Sequence, residues 1–300
     1  MKTKVGGFRS EEARRLFLDL YDRATEELWP IPSTELEVDT SYGTTRVRRC
    51  GQGPGLPLIL IHGHSGTSVG WYKIIAPIAE AHEVFVIDVI GALGRSVQTR
   101  PIETTSHLAD WLAEVLDGLG LQRAHLLGYS EGGFVAFHAA LDKPDRIASL
   151  VAIDAAGTVE SVKTRFLASM IWAGLQAAIG VPGVLRRFGE RLTPGVEFSD
   201  LWWEMVTVGA RGFRHALPMP KRVSDDQLRR LTTPTLLYMA GESEVYDAAK
   251  AATRANALIP NVETIVVEGA GHGLPLTHAE RTWADVLDFV DRYDTTVGQA

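Results

Sequence analysis

Six short apolar runs recur along the 300-residue chain, and they constrain its fold more than any other feature. The runs do not alternate between polar and apolar side chains, so each of them predicts a strand that is buried on both faces. Segments with helical spacing separate the runs, for example the one that carries Leu108, Trp111 and Leu112. Strands that alternate with helices predict a parallel sheet covered by helices. The six runs are 58–61, 84–90, 125–128, 150–154, 235–240 and 264–267.

The chain before the first run predicts a helix and two further strands. Ser10, which two glutamates follow, is typical of a helix start, and Trp29 and Pro30 end the helical pattern. Strands are expected next at 35–38 and 45–48. Together with the six runs, they predict a mostly parallel eight-stranded sheet in an α/β fold.

The regular alternation is interrupted once, between Asp154 and Thr235. About 80 residues without a good strand are too many for a simple crossover, so a helical insertion is expected there. The predicted domains are an N-terminal helical extension at 1–30, a core at 31–155 and 231–300, and a helical cap at 156–230.

The composition limits the binding partners and the cellular location that are expected for the chain. A net charge of −7 argues against a nucleic-acid partner, because phosphate binding needs clustered Lys and Arg. The single cysteine, Cys50, excludes an internal disulfide and favours a cytoplasmic location, and residues 1–12 lack the apolar core of a signal peptide. The long uncharged stretch 166–185 is interrupted at Pro182, so no transmembrane segment is predicted, and contact with a membrane surface is the less favoured alternative.

The stretch G-Y-S-E-G-G at 128–133 carries a serine with a glycine two places before it and another two places after it. A serine on a strained turn between a strand and a helix needs glycines at these places, because strand and helix nearly touch there. Such a turn presents the hydroxyl at a helix N-terminus, where backbone N–H groups favour negative charge. Ser130 is therefore the candidate nucleophile. The backbone N–H groups of Glu131 and His64 are the candidate oxyanion-hole donors, the latter on the loop after the first run.

A nucleophilic serine requires a base, and the base requires an acid that orients it. His272 follows the last apolar run on a glycine-rich loop and is the candidate base, whereas His278 is expected to open a surface helix. The acid is expected after the preceding strand, where Glu244 is the choice. Asp247 and Asp154 remain open as alternatives.

These segments together resemble the α/β-hydrolase superfamily, in its capped, lipase/esterase-like branch. The resemblance covers about residues 35–295 and is carried by the serine turn, the H-G-H loop at 62–64, the D-x-x-G-x-x-G-x-S segment at 88–96 and the G-x-G-H box at 269–272. The order serine, acid, histidine matches that of the family. The N-terminal helix and the G-E-x-E-V-Y segment look similar to a bacterial carboxylesterase subgroup. Most family members carry Asp where Glu244 stands, which is a departure from the pattern.

The resemblance implies a serine hydrolase without a cofactor that cleaves a small carboxylic ester through an acyl-enzyme intermediate. The same triad could act on a lactone, thioester, amide, carbon–carbon bond or peracid, because the fold does not determine which bond is cleaved. A non-catalytic small-molecule binding protein is the alternative from another class, and the oligomeric state stays open, a homodimer included. An apolar or aromatic substrate is expected, with packing inside the cap as the alternative role for the aromatic residues. The candidate substrate-binding residues are Trp71, Tyr129, Trp172, Trp202 and Trp203.

Two histidines that follow the first run also suggest a metal site. His62 and His64 form a His-x-His pair, which begins some hydrolase metal sites, but the expected acidic ligand is missing because Gly66 stands in its place. No metal is therefore predicted, and His62 is expected to brace its loop. Glu131 is expected to be solvated or hydrogen-bonded at the helix start, and His215 to lie on a solvated helix face.

Overall fold

The structure is a computed structural model that describes residues 5–294. The first four residues of the predicted extension and residues 295–300 of the predicted core lie outside the described residues. The strands of the described part are β1 (Gly7–Phe8), β2 (Thr34–Thr40), β3 (Gly43–Cys50), β4 (Leu58–Ile61), β5 (Val84–Ile87), β6 (Val97–Gln98), β7 (Ala124–Tyr129), β8 (Ile147–Ile153), β9 (Phe213–Arg214), β10 (Thr235–Ala240) and β11 (Val262–Val267). The α-helices are α1 (Glu11–Leu28), α2 (Ile75–Ala81), α3 (Thr105–Gly118), α4 (Glu131–Asp142), α5 (Thr164–Ala178), α6 (Val184–Leu192), α7 (Asp200–Gly212), α8 (Asp225–Arg230), α9 (Ala248–Leu258), α10 (Leu274–Thr277) and α11 (Ala279–Arg292).

The main sheet has the strand order β11-β10-β8-β7-β4-β5-β3-β2, and the two-residue β6 pairs with β3 beside this path. The pairs from β11 to β5 are parallel, and the last two, β5 with β3 and β3 with β2, are antiparallel. The predicted α/β fold with a mostly parallel sheet is therefore confirmed, and β6 makes the sheet nine-stranded instead of eight-stranded. The sequence did not indicate β6, because two residues are too few to form a pattern.

The sheet is buried on both faces because its central strands carry apolar side chains at successive positions. In β4, Ile59 and Ile61 belong to the hydrophobic cluster that α3 and α4 complete, whereas Leu58 and Leu60 belong to the cluster completed by α2 and α11. Each fully buried Leu or Ile contributes about 2 kcal/mol relative to an exposed one. The unalternating run in the sequence thus reflects two apolar layers, one on each face of the sheet.

Helix α1 begins and ends where the sequence predicts. The Ser10 side chain accepts a hydrogen bond from the backbone N–H of Ala13 at 3.1 Å, and Trp29 is the C-cap residue. The buried face of α1 carries Phe17 and Tyr21, which share a hydrophobic cluster with residues of α7. This packing ties the N-terminal helix to the segment between β8 and β10.

The segment between β8 and β10 consists mainly of the helices α5 to α8. It also contains β9, which the sequence did not predict, and β9 pairs antiparallel with β1 in a separate two-stranded sheet. Gly183, at a φ of 65°, lies between α5 and α6, so the long uncharged stretch does not form one continuous helix: it contains most of α5 and only the first two residues of α6. Among residues 5–294, no helix combines the length and the apolar character that crossing a membrane requires.

Candidate active site

Ser130 lies on a sharp turn between β7 and α4 with φ 55° and ψ −117°. This backbone conformation is strained for a residue with a side chain. A Cβ atom on Gly132 would lie 2.1 Å from the carbonyl oxygen of Ile61, and one on Gly128 would lie 2.3 Å from the carbonyl oxygen of Gly132. Both glycines are therefore required by close backbone approach, as the sequence predicts. The backbone N–H of Ser130 donates to Ile153 at 3.0 Å, which anchors the turn to β8.

The loop after β4 lies directly beside this turn, because a Cβ atom on Gly63 would be 3.1 Å from the Cβ of Ser130. His62 holds the loop in place. Its Nδ1–H donates to the Gly63 carbonyl at 2.9 Å, and its Nε2 accepts the backbone N–H of Val89 at 3.0 Å. Burial lowers the pKa of His62, so the ring stays neutral and keeps one nitrogen as an acceptor. His62 thus braces the loop, as expected.

Asp88 fastens the surrounding segments to one another. Its buried carboxylate accepts the backbone N–H groups of Ser68 at 2.7 Å and Arg95 at 2.8 Å, and the hydroxyl of Tyr21 at 3.1 Å. These bonds give the D-x-x-G-x-x-G-x-S segment a structural role, because they join α1 to two loops next to the serine turn. Gly94 at φ 155° passes so close that a Cβ there would lie 2.7 Å from the Asp88 Cγ.

His272 lies on the loop between β11 and α10 and is buried. Its Nδ1–H donates to Oδ2 of Asp154 at 2.6 Å. Its ring stacks on the ring of Tyr129, with centroids 4.9 Å apart, and the Tyr129 hydroxyl donates to the His272 carbonyl oxygen at 2.8 Å. Because Tyr129 immediately precedes Ser130, this stacking brings the imidazole next to the serine turn.

Asp154 follows β8 directly and is fully buried, with a φ of 41°. Besides His272, its carboxylate accepts the Ser243 hydroxyl at 2.8 Å and the backbone N–H of Ala240 at 3.3 Å. Burial and the charge of Asp154 raise the pKa of the Tyr246 hydroxyl well above its ordinary value. These donors compensate for the burial of the carboxylate, because a buried polar group without hydrogen-bond partners is costly.

The prediction of Glu244 as the acid partner of the histidine is wrong. The Glu244 carboxylate lies 3.3 Å from the Arg191 guanidinium, and 41% of its side chain is exposed. Asp247 instead caps α9 by accepting the Lys250 backbone N–H at 3.1 Å. Because β8 and β10 are neighbours, their carboxyl ends lie side by side, and the carboxylate that contacts His272 comes from the end of β8. Of the residues that the sequence left open, Asp154 is the one in contact with the imidazole.

Glu131 makes contacts that the sequence did not indicate. Its carboxylate accepts Nδ1–H of His64 at 3.2 Å and Nε2–H of His215 at 3.1 Å. Burial raises the pKa of Glu131, but the charges and hydrogen bonds of the two histidines outweigh burial and hold that pKa below its usual range. Burial lowers the pKa of His64, but the charge and the hydrogen bond of Glu131 raise it by more. The pKa of His64 therefore lies above its ordinary value. His215 follows β9 and does not lie on a solvated helix face, which corrects that expectation.

Three of the candidate substrate-binding tryptophans lie in hydrophobic cores. Trp71 packs against Trp283 with ring centroids 6.4 Å apart, and Trp202 and Trp203 are buried in the cluster beside α1. Packing therefore accounts for the burial of these three rings without a substrate. Trp172 is different, because 62% of it is exposed on α5.

The comparisons with known proteins agree with the fold. The family model described as alpha/beta hydrolase fold matches residues 57–180. The carboxylesterase YbfK of Bacillus subtilis (strain 168) is 29% identical over 295 residues, which cover 94% of this chain and 96% of that protein. A crystal structure of that carboxylesterase, CesB (YbfK), has a TM-score of 0.83 at 27% identity and covers 93% of this chain and 98% of its own.

A second solved structure supports the fold alone. The crystal structure of naproxen esterase from Bacillus subtilis has a TM-score of 0.85 at 24% identity, over 93% of this chain and 98% of its own. The sheet order, the serine turn and these matches agree with one another. The chain has the α/β-hydrolase fold, and it is similar to bacterial carboxylesterases.

Proposed function

We propose that the protein is a carboxylesterase that hydrolyses a small carboxylic ester through a covalent acyl-enzyme on Ser130. The observation that carries the proposal is the 2.6 Å hydrogen bond from His272 to the buried Asp154, beside the strained serine turn. A carboxylate that accepts Nδ1–H leaves the lone pair of the imidazole on Nε2, which is the form that can take a proton from serine. The similarity to the carboxylesterase YbfK supports an ester as the substrate class.

In the first half of the reaction, Oγ of Ser130 attacks the ester carbonyl carbon while Nε2 of His272 takes the hydroxyl proton. The negative charge of Asp154 stabilises the imidazolium that forms. The carbonyl electron pair moves onto oxygen, and the backbone N–H groups of Glu131 and His64 donate to this oxyanion. The bond to the leaving alcohol then breaks, the imidazolium returns its proton to the departing oxygen, and the acyl group stays on Ser130.

In the second half, water replaces the alcohol. His272 takes a proton from water as its oxygen attacks the acyl carbon, and the same oxyanion donors stabilise the second tetrahedral intermediate. When this intermediate collapses, the proton returns to Oγ of Ser130 and the carboxylic acid leaves. The reaction needs no group beyond the chain's own residues and water, which supports a mechanism without a cofactor.

The rigidity of the oxyanion side favours this mechanism. His62 and Asp88 fix the loop that carries residue 64, and the helix start fixes the N–H of Glu131. Donors that are oriented before the substrate binds need not reorganise as charge develops, and one such donor is worth about 10²–10³-fold in kcat.

Hydrolysis of aryl esters with acyl chains of graded length tests the proposal. The expected result is turnover of at least part of the series by the wild-type chain, and a loss of at least about 10⁴-fold in kcat in Ser130→Ala. Circular dichroism would confirm that the variant is folded. A wild-type chain that hydrolyses none of the esters, or a Ser130→Ala variant that keeps its activity, would contradict the proposal.

A further inference from the structure

Three side chains with metal-binding atoms meet beside the serine turn, although they come from separate parts of the chain. His64 lies on the loop after β4, Glu131 is the first residue of α4, and His215 follows β9. One ligand atom from each, an imidazole nitrogen or a carboxylate oxygen, lies within 4.8 Å of the other two. The group is separate from His272 and Asp154, which bond to each other.

The spacing of these atoms is close to the spacing that a tetrahedral zinc ion imposes. Ligands at about 2.0–2.1 Å from Zn²⁺ lie about 3.3 Å from one another. The Glu131 carboxylate lies 3.2 Å from Nδ1 of His64 and 3.1 Å from Nε2 of His215. The two distances involve different oxygens, Oε2 towards His64 and Oε1 towards His215. Each imidazole nitrogen therefore already has about the required separation from one oxygen of a carboxylate that binds the ion through both of its oxygens.

Burial and exposure also suit an ion. Glu131 is only 8% exposed, so its charge is poorly screened by water. The side chains of His64 and His215 are 43% and 28% exposed, which leaves access from solvent and room for a water ligand. His62 cannot join the group, because both of its ring nitrogens are already bonded, to Gly63 and to Val89.

We propose that His64, Glu131 and His215 bind one divalent transition-metal ion, with Zn²⁺ as the ion that two imidazoles and a carboxylate favour. The ion replaces the two hydrogen bonds to Glu131. Each histidine binds as a neutral imidazole through the nitrogen that now faces the carboxylate, with its remaining proton on the other ring nitrogen. Water completes the coordination. The site does not depend on ester hydrolysis. It differs from the His-x-His pair of His62 and His64, because His62 is not one of its ligands.

Two substitutions separate metal binding from simple hydrogen bonding. In His64→Asn the side-chain amide nitrogen takes the place of Nδ1, and in His215→Gln it takes the place of Nε2. Both variants can still donate a hydrogen bond to Glu131, but an amide nitrogen has no lone pair for a metal. His278→Gln is the matched control, because His278 lies on another loop and bonds to Thr277.

The test titrates Zn²⁺ into the full chain after treatment with a chelator, using calorimetry and a chromophoric competitor. The expected result is one ion per wild-type chain, affinity lowered by at least about tenfold in His64→Asn and in His215→Gln, and unchanged affinity in His278→Gln. Zinc should also raise the melting temperature of the wild type, because it binds the folded state.

The wild type alone supplies a second measurement that does not depend on the folding of any variant. Co²⁺ bound by two imidazoles and a carboxylate gives a visible absorption spectrum that Zn²⁺ abolishes by displacement. A wild-type chain without this spectrum overturns the proposal. It is also overturned if both variants bind Zn²⁺ as tightly as the wild type, or if His278→Gln loses as much affinity as they do.

Discussion

Replacing Asp154 by Asn changes one atom in a fully buried group whose neighbours are all hydrogen-bond donors. Oδ1 accepts the backbone N–H of Ala240 at 3.3 Å, while Oδ2 accepts the Ser243 hydroxyl at 2.8 Å and Nδ1–H of His272 at 2.6 Å. The amide of Ala240 can only donate, whereas the Ser243 hydroxyl can rotate and His272 can change tautomer. The asparagine oxygen therefore faces Ala240, and its NH₂ group faces the imidazole.

This orientation puts the proton of the imidazole on the wrong nitrogen. Nδ1 of His272 must accept from the asparagine, so Nε2 carries the proton and cannot take one from Ser130. The imidazolium also loses its negative partner. The two effects together cost about 10⁴-fold in kcat, which corresponds to about 5 kcal/mol in the activation barrier.

The assay is steady-state hydrolysis of an aryl ester, with circular dichroism to verify folding. Glu244→Gln is the matched control, and its kcat should stay within about threefold of the wild type, because an exposed pair with Arg191 contributes less than about 1 kcal/mol. An Asp154→Asn variant that keeps more than about a tenth of the wild-type kcat would disprove this prediction, and so would a Glu244→Gln variant that loses as much activity as Asp154→Asn.

Three further predictions concern the framework of the site. Gly132→Ala should destabilise the fold by more than about 3 kcal/mol, because its Cβ would lie 2.1 Å from the Ile61 carbonyl oxygen, and an unchanged melting temperature would contradict this. Tyr129→Phe should cost about 1 kcal/mol in urea unfolding and less than about tenfold in kcat, because it loses only the hydroxyl bond to the His272 carbonyl and keeps the ring stacking. Burial lowers the pKa of His138 to about 4, because the charge of Asp142, which raises this pKa, has a smaller effect than burial. The unfolded state therefore binds the proton more readily, and stability falls as the pH falls from about 6.5 towards about 4. His138→Gln should remove about 2 kcal/mol of the stability difference between about pH 7.5 and about pH 5, and an identical pH dependence in the variant would contradict the assignment.

The strands and the serine turn could be predicted because their causes are local. A strand buried on both faces needs consecutive apolar residues, and β4 and β10 have the bounds that the runs indicate. The glycines at 128 and 132 are required by backbone atoms nearby in the fold, and their spacing is visible in the sequence. The two-residue β1, β6 and β9 leave no comparable pattern.

The carboxylate that contacts His272 could not be chosen from the sequence, because two neighbouring strands each end close to a carboxylate. Glu244 comes four residues after the end of β10, and Asp154 comes directly after β8. Which of them faces His272 depends on side-chain direction, since the turn after β10 leads Glu244 outward to Arg191. The one signal in favour of Asp154 is its position at the end of an uninterrupted apolar run, where a charged side chain is costly unless it has partners.

The contact between His215 and Glu131 had no signal in the sequence. The two residues are 84 positions apart, and the segment that carries His215 is positioned by the pairing of β9 with β1. Such a contact depends on the packing of the helical segment against the core. The sequence could therefore indicate Glu131 as a neighbour of Ser130 but not its contact with His215.

Covalent labelling with a fluorophosphonate, followed by mass spectrometry of the intact chain and of its peptides, measures whether the hydroxyl of Ser130 is activated. A hydroxyl activated by the imidazole should acquire a single adduct on Ser130. The adduct should be lost in Ser130→Ala, form slowly in Asp154→Asn, and form at the wild-type rate in Glu244→Gln. A folded wild-type chain that does not react, or an adduct that persists in Ser130→Ala, would show that Ser130 is not the activated nucleophile.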